Sequence, residues 1–154
     1  MIVSVALAAD HGGYAMKSQL SPFLEEAGYL VNDLGPESED PNDDYPDFAA
    51  TVARDIASSK SVKGIIICGS GVGACVAANK VRGVRAGICH DTYSAHQAVE
   101  HDDMNVLCLG SGIVGLSVIS ELLHAFLSAS FDSRETRYVR RLSKVKAIED
   151  EAAR

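Results

Sequence analysis

The chain has 154 residues, 47% of them hydrophobic, with 14 basic and 21 acidic side chains and a formal net charge of −7. That length and apolar content suit one domain over 1–154 and exclude wholesale disorder. The acidic balance excludes a general nucleic-acid coat, which needs excess Lys and Arg, and no apolar run reaches the ~20 residues of a membrane span.

Ile2–Ala9 is a continuous apolar run and reads as a buried central strand. No charged leader precedes it, so no secretory signal is expected and the expected compartment is the cytoplasm. Tyr14–Ala27 has helical spacing (Met16, Leu20, Phe23, Leu24) and Gly28 as a stop; Tyr29–Asp33 is a short second strand. Leu34–Pro46 carries Pro36, Pro41 and Pro46 among acidic residues and reads as a solvated loop. Asp47–Ser59 is a helix with Phe48, Val52 and Ile56 on one face, followed by a strand over Gly64–Cys68 and a helix over Ala74–Lys80. Arg85–Cys89 is a fourth strand, Thr92–His101 a helix and Asn105–Leu109 a fifth strand. A long apolar helix over Ile113–Leu127 and a charged one over Ser133–Ala153 complete the pattern.

Strands alternating with helices predict a three-layer α/β/α sandwich around a five-stranded parallel sheet. Ligands in such sheets bind at the carboxyl ends of the strands, where strand order reverses. The residues after the strands are Asp10-His11-Gly12-Gly13, Cys68-Gly69-Ser70-Gly71-Val72-Gly73, His90-Asp91 and Gly110-Ser111-Gly112. Polar and glycine residues gather there, as a site requires.

The turn after the third strand is the strongest local signal. Its alternate glycines let the backbone turn tightly and approach a ligand, and the open amides of the next helix favour an anion or oxyanion. Ala74 breaks G-x-G-x-x-G, and no Gly-Lys-Ser/Thr follows, so dinucleotide and nucleoside triphosphate sites are set aside. Cys68 precedes those amides in a positive field that favours its thiolate, suiting it as nucleophile or general base. Position 74 also lacks the arginine a phosphatase cysteine loop needs. Of the four cysteines, Cys75, Cys89 and Cys108 form no C-x-x-C pair with Cys68 or each other and read as buried thiols.

His101 sits at a helix end beside Asp102, either as a proton shuttle or as a capping residue. His11 is equally open, and Asp10 suits a sugar hydroxyl or a helix cap. Arg134, Arg137, Arg140, Arg141, Lys144 and Lys146 are six of the 14 basic residues. Arg137 and Arg141 share a helix face and suit forked bonds to a phosphate or carboxylate, although a solvated face explains them too.

Together A-A-D-H-G-G, D-D-Y-P-D-F-A, C-G-S-G-V-G, A-A-N-K-V-R-G-V-R-A, H-D-D-M-N-V-L and R-Y-V-R-R resemble the type B ribose-5-phosphate isomerases, in a family that includes galactose-6-phosphate and allose-6-phosphate isomerases. The resemblance implies a Rossmann-like sheet ordered 2-1-3-5-4 and no metal or organic cofactor. It also implies active sites shared within a homodimer or a tetramer built of dimers. The implied reaction interconverts ribose 5-phosphate and ribulose 5-phosphate through a cis-enediolate. In it Cys68 is the base, assisted by Ser70, and His101 opens the sugar ring with help from Asp44. Asp10 holds sugar hydroxyls, Gly69, Ser70, Gly71, Val72 and Gly73 bind the enediolate oxygen, and His11, Arg137 and Arg141 hold the phosphate. The partner is a small sugar phosphate, with neither nucleic acid nor membrane.

The chain departs from the family's usual residues in several places. Ser70 replaces a threonine, Asp102 an asparagine that donates to the enediolate, Gly112 an arginine that helps bind phosphate, and Tyr138 a histidine. Asp102 and Gly112 keep open a different sugar, phosphorylated or not, or a sugar-phosphate binder without catalysis.

Overall fold

The computed structural model describes residues 3–152. Its strands are β1 (Ser4–Ala9), β2 (Leu30–Asp33), β3 (Lys63–Cys68), β4 (Ala86–Ile88) and β5 (Val106–Gly110). Its helices are α1 (Tyr14–Glu26), α2 (Tyr45–Ala57), α3 (Val72–Ala78), α4 (Thr92–Asp102), α5 (Leu116–Ser128) and α6 (Thr136–Ala152). The strands pair in parallel in the order β2-β1-β3-β5-β4. This is the sheet that the resemblance implies.

Strand side chains alternate between faces, so each strand feeds two cores. Val5, Leu7, Ile65, Ile67, Leu107 and Leu109 pack under α1, α4 and α5, where Leu24, Val99, Ile119, Leu122 and Phe126 close one layer. Ala6, Ala8, Ile66, Cys68, Val106 and Cys108 face α2 and α3 through Ala49, Val52, Ala53, Ala74 and Ala78. Small side chains on this second face let the helices lie close: a Cβ on Gly64 would fall 2.8 Å from Val52. No helix among the described residues is long and apolar enough to cross a membrane.

The element ends differ from the sequence expectation where turn chemistry decides. Helix α2 starts at Tyr45 rather than Asp47, because Pro46 sits in its first turn, where no N–H is needed. Helix α3 starts at Val72, earlier than expected, since Gly71 takes φ +80° and turns the chain at once. Helix α5 starts later than Ile113, because the Ile113 and Val114 amides first donate to Gly110 O. Ile2 and Ala153, placed in a strand and a helix from sequence, lie outside the described residues.

The polarity of the sheet sorts the chain into two edges. The carboxyl edge holds the turns after β1, β3 and β5 and the loop into α2. The amino edge holds the last turn of α4, the start of α6 and the turn before β4. Helix α6 is fixed there by Gly83 N donating to Glu149 (2.7 Å) and by an Arg82–Asp150 ion pair.

Phe126 is fully buried and among the largest side chains of the first core. Phe126→Ala should destabilise the fold by about 3–5 kcal/mol through lost contacts and a residual cavity. Urea unfolding measures this, and a loss below about 1 kcal/mol would mean that α5 does not depend on this core.

Candidate active site

Strand order reverses between β1 and β3, so the turns after these strands form the crevice. Asp10 ends β1 with its amide donating to Ile67 O (3.2 Å), which ties the turn after β1 to β3. Its buried carboxylate accepts from Gly13 N (3.0 Å) within the turn before α1, whose N-cap is Gly13 itself. A Cβ on Gly13 would lie 2.4 Å from Ile67 O, so only glycine lets these turns approach.

Cys68, 5% exposed, ends β3 with Sγ accepting a hydrogen bond from Gly71 N (3.1 Å). The sulfur thus lies within hydrogen-bonding reach of the amides that open α3. Ser70 Oγ accepts from Val72 N (3.3 Å), while the Ser70 and Gly73 amides have no partner among the described residues. Behind this turn, Ser111 N donates to Cys68 O (2.9 Å), Gly112 N to Gly69 O (3.0 Å) and Ser111 Oγ to Gly12 O (2.6 Å). Gly110 N donates to His90 Nε2 (3.3 Å), which draws the turn after β4 into the same lattice. Cys89 and Cys108 follow the packing expectation, whereas Cys75 departs from it: hydrogen bonds with Cys108 and Asn79 lower its pKa to about 7. Burial pushes Cys89 up to about 11, Cys108 is fully buried, and Cys75 is half-buried.

On the turn after β1 stands His11, whose amide (3.0 Å) and Nδ1 (2.7 Å) both meet Asp43 Oδ1. The Asp43 carboxylate is only 10% exposed, while the His11 ring is 44% exposed. The Asp43 hydrogen bond, reinforced by the Asp10 charge, raises the His11 pKa above 6.5. With Nδ1 held by Asp43, Nε2 is the ring nitrogen left for a ligand. Sequence reading named Asp44 for ring opening and did not single out Asp43, the partner of His11. Asp44 is the residue before α2 and makes no side-chain cap bond. Nearby, buried Lys17 donates to both Asp33 carboxylate oxygens (2.7 Å) and to Pro36 O (2.8 Å), anchoring the acidic loop that carries Asp43.

His101, Asp102, Arg137 and Arg141 lie elsewhere. His101 and Asp102 occupy the last turn of α4, and both arginines sit on α6, all at the amino edge. Cys68 aligns with Gly110 and Gly64 with Val106, so about 13 Å of strand separates the edges before the loops are counted. The grouping of His101 and Asp44 for ring opening therefore cannot form within one chain. His101 packs instead between Gln97, 2.7 Å from Nδ1, and Tyr138, whose hydroxyl lies 2.7 Å from Nε2.

This fold and edge define a class: an α/β protein that binds a small ligand where sheet order switches, beside an amide-held thiol. Comparison with known proteins supplies the family. The chain belongs to the ribose/galactose isomerases, whose family model matches residues 5–145. It is 41% identical over 147 residues to a probable ribose-5-phosphate isomerase B of Mycoplasma pneumoniae, covering 96% of this chain and 95% of that one. It is 37% identical over 131 residues to a D-erythrulose-4-phosphate isomerase of Pectobacterium atrosepticum, covering 85% of this chain and 86% of that one. Among solved structures, ribose-5-phosphate isomerase B of Mycoplasma genitalium with bound ribulose-5-phosphate superposes with a TM-score of 0.89 at 42% identity. That match covers 98% of this chain and 99% of the other.

Because His11 is raised in the folded state, the Asp43 pair contributes stability fully below pH 6.5, the unpaired value, and loses it as pH rises through the folded pKa. Asp43→Asn should lower the His11 midpoint and remove this pH dependence. An imidazole NMR titration reads the change, and an unmoved midpoint would show that Asp43 does not hold the proton.

Proposed function

We propose that the chain is an aldose–ketose isomerase interconverting ribose 5-phosphate and ribulose 5-phosphate. The observation that carries this is the amide-held Cys68 sulfur at the sheet's switch point. The family and the relative with ribulose-5-phosphate bound support it. In this reading the Cys68 thiolate takes the C2 proton of the open-chain aldose and returns it at C1. A proton beside a carbonyl is too weakly acidic for a thiolate unless the enediolate oxygen is stabilised. Amide donors at Ser70 and Gly73 fit that need, each worth roughly 2.7–4 kcal/mol by analogy with oxyanion holes. Gly69, Gly71 and Val72 shape the turn that aims them, and Asp10 receives sugar hydroxyls with the carboxylate capacity Gly13 leaves free.

One protomer's carboxyl edge cannot complete this chemistry. It is acidic: Asp10 after β1 and Glu37, Asp40, Asp43 and Asp44 in the loop into α2 outnumber the raised His11, and Lys17 is already held by Asp33, so a phosphate there lacks counter-charge. The cations and His101 sit at the amino edge. The reading therefore uses a homodimer in which His101, Arg137 and Arg141 of one protomer face Cys68, His11 and Asp44 of the other. Two-fold symmetry makes two identical composite sites.

A second reading, a sugar phosphate of another length, draws on Gly112 and Asp102. Gly112 supplies no charge, and a side chain there would press on Gly69 O at 3.2 Å. Asp102, when ionised, accepts hydrogen bonds but cannot donate one to an enediolate oxygen. The relative named for D-erythrulose 4-phosphate makes the four-carbon case the specific rival. Comparing kcat/KM across four-, five- and six-carbon sugar phosphates and the free sugars decides this. The pentose phosphate should lead, and a higher value for a tetrose phosphate would transfer the assignment to the rival.

Subunit mixing tests the shared site. Cys68→Ala and His101→Ala should each abolish isomerisation and leave the fold intact. Refolded together in equal amounts, the two inactive variants should recover roughly a quarter of wild-type activity, because each mixed dimer regains one intact site. No recovery despite confirmed mixed dimers would refute sharing between protomers. Cys68→Ala that still exchanges the C2 proton with deuterated solvent would remove the thiol from the chemistry.

A further inference from the structure

The amino edge contains a contact that the isomerase reading does not use. Both nitrogens of His101 are occupied within its own chain: Gln97 Nε2 lies 2.7 Å from Nδ1 and Tyr138 Oη 2.7 Å from Nε2. The His101 and Tyr138 rings stack with centroids 4.0 Å apart at 25°. The Arg137 guanidinium lies over the Tyr138 ring at 5.2 Å and brings Nη2 to 3.5 Å from Oη. Glu100 Oε2, at 3.8 Å from Nε2, is the nearest carboxylate. A histidine so enclosed has no free nitrogen for a ligand, whereas the hydroxyl bonded to it has spare capacity. A phenol holds one proton and two lone pairs, and a single bond to imidazole leaves room for a second partner.

Resting on the isomerase reading, we propose that Tyr138 is a catalytic residue: its hydroxyl meets the sugar and relays the ring-opening proton to and from His101. In the starting state Nδ1–H donates to the Gln97 amide oxygen, reached by a half-turn of that amide, and the Nε2 lone pair accepts from Tyr138 O–H. Opening a furanose requires the C1 hydroxyl to lose its proton, the C1–O4 bond to break, and O4 to gain a proton. Tyr138 Oη takes the proton from O1 as its own proton passes to Nε2. The O1 electron pair forms the C1 carbonyl, and the C1–O4 pair leaves on O4. The imidazolium then returns its proton to Oη, and the phenol passes one to O4. One proton has moved from O1 to O4, and both residues end as they began. O1 and O4 are both bonded to C1, so one hydroxyl reaches both. The neighbouring Arg137 stabilises negative charge on Oη during the transfer and places the phosphate group's own cation beside the relay.

The test exploits a difference between the two sugars. Ribose 5-phosphate is mostly a furanose, whereas ribulose 5-phosphate, with its terminal hydroxyl phosphorylated, cannot close that ring. Tyr138→Phe keeps the stacked ring and removes only the relay. Conversion of ribose 5-phosphate should fall by about 100-fold, the scale of general acid–base catalysis. Deuterium uptake at C1 of ribulose 5-phosphate in heavy water should stay near wild type, and that retained rate also certifies the fold and the Cys68 step. Wild-type conversion of ribose 5-phosphate by Tyr138→Phe, or equal loss in both assays, overturns the relay. A wild-type protein that exchanges nothing at C1 sinks the isomerase reading and the relay with it.

Discussion

The parallel sheet constrains everything else in this molecule. Each strand–helix–strand unit turns the chain over, so a residue ending a strand and a residue ending the next helix lie at opposite edges. Cys68 ends β3 and His101 falls in the last turn of α4, and no loop adjustment in a five-stranded parallel sheet brings them together. Distance along the sequence conceals this, because the residues are separated by a modest stretch that reads as one motif following another. The proposed chemistry is thus tied to assembly by backbone polarity, before any side-chain contact is considered.

Within the carboxyl edge, close approach of backbones does the positioning. The turns after β1, β3 and β5 are bonded to one another through Asp10 N, Ser111 N, Gly112 N and Ser111 Oγ. Glycines stand where a Cβ would not fit: Gly13 against Ile67 O, and Gly73 against the Tyr45 ring, where a Cβ would fall 2.6 Å away. A site built from mutually bonded backbone moves little when a ligand arrives, which suits amide donors that must already point at a developing charge. Cys68 has the same support, since its carbonyl holds Ser111 while its sulfur receives Gly71 N.

Much of this was legible in the sequence. The buried strands read as apolar runs, and the glycine turn stands out because it follows a cysteine at the carboxyl end of a buried strand and opens onto helix amides. What was hidden depended on conformation or on a second element. Asp43 and Asp44 are chemically identical and adjacent; only the turn formed as Asp43 N donates to Asp40 O, together with the position of His11, selects Asp43. The Tyr138–His101 contact joins residues 37 positions apart on different helices, and neither helix announces the other by spacing. The start of α2 departs from the loop expected through Pro46 because a proline fits the first helical turn, where no N–H is needed.

Charge distribution then accounts for a feature that net charge obscures. A chain at −7 is a poor host for a phosphorylated sugar if its charge is spread evenly. Here the charges are segregated, with acidic residues 37–44 near the carboxyl edge and six basic residues between Arg134 and Lys146 in and just before α6. Two copies placed with opposite edges facing bring cationic helix to acidic crevice. The attraction between them and the counter-charge for the substrate then have the same source. A phosphate entering such a crevice replaces part of the contact between acidic loop and basic helix instead of arriving at a site of uncompensated charge. In the proposed dimer the acidic residues near the carboxyl edge would complement the partner's basic helix and would hold its cations toward the crevice before a sugar phosphate binds.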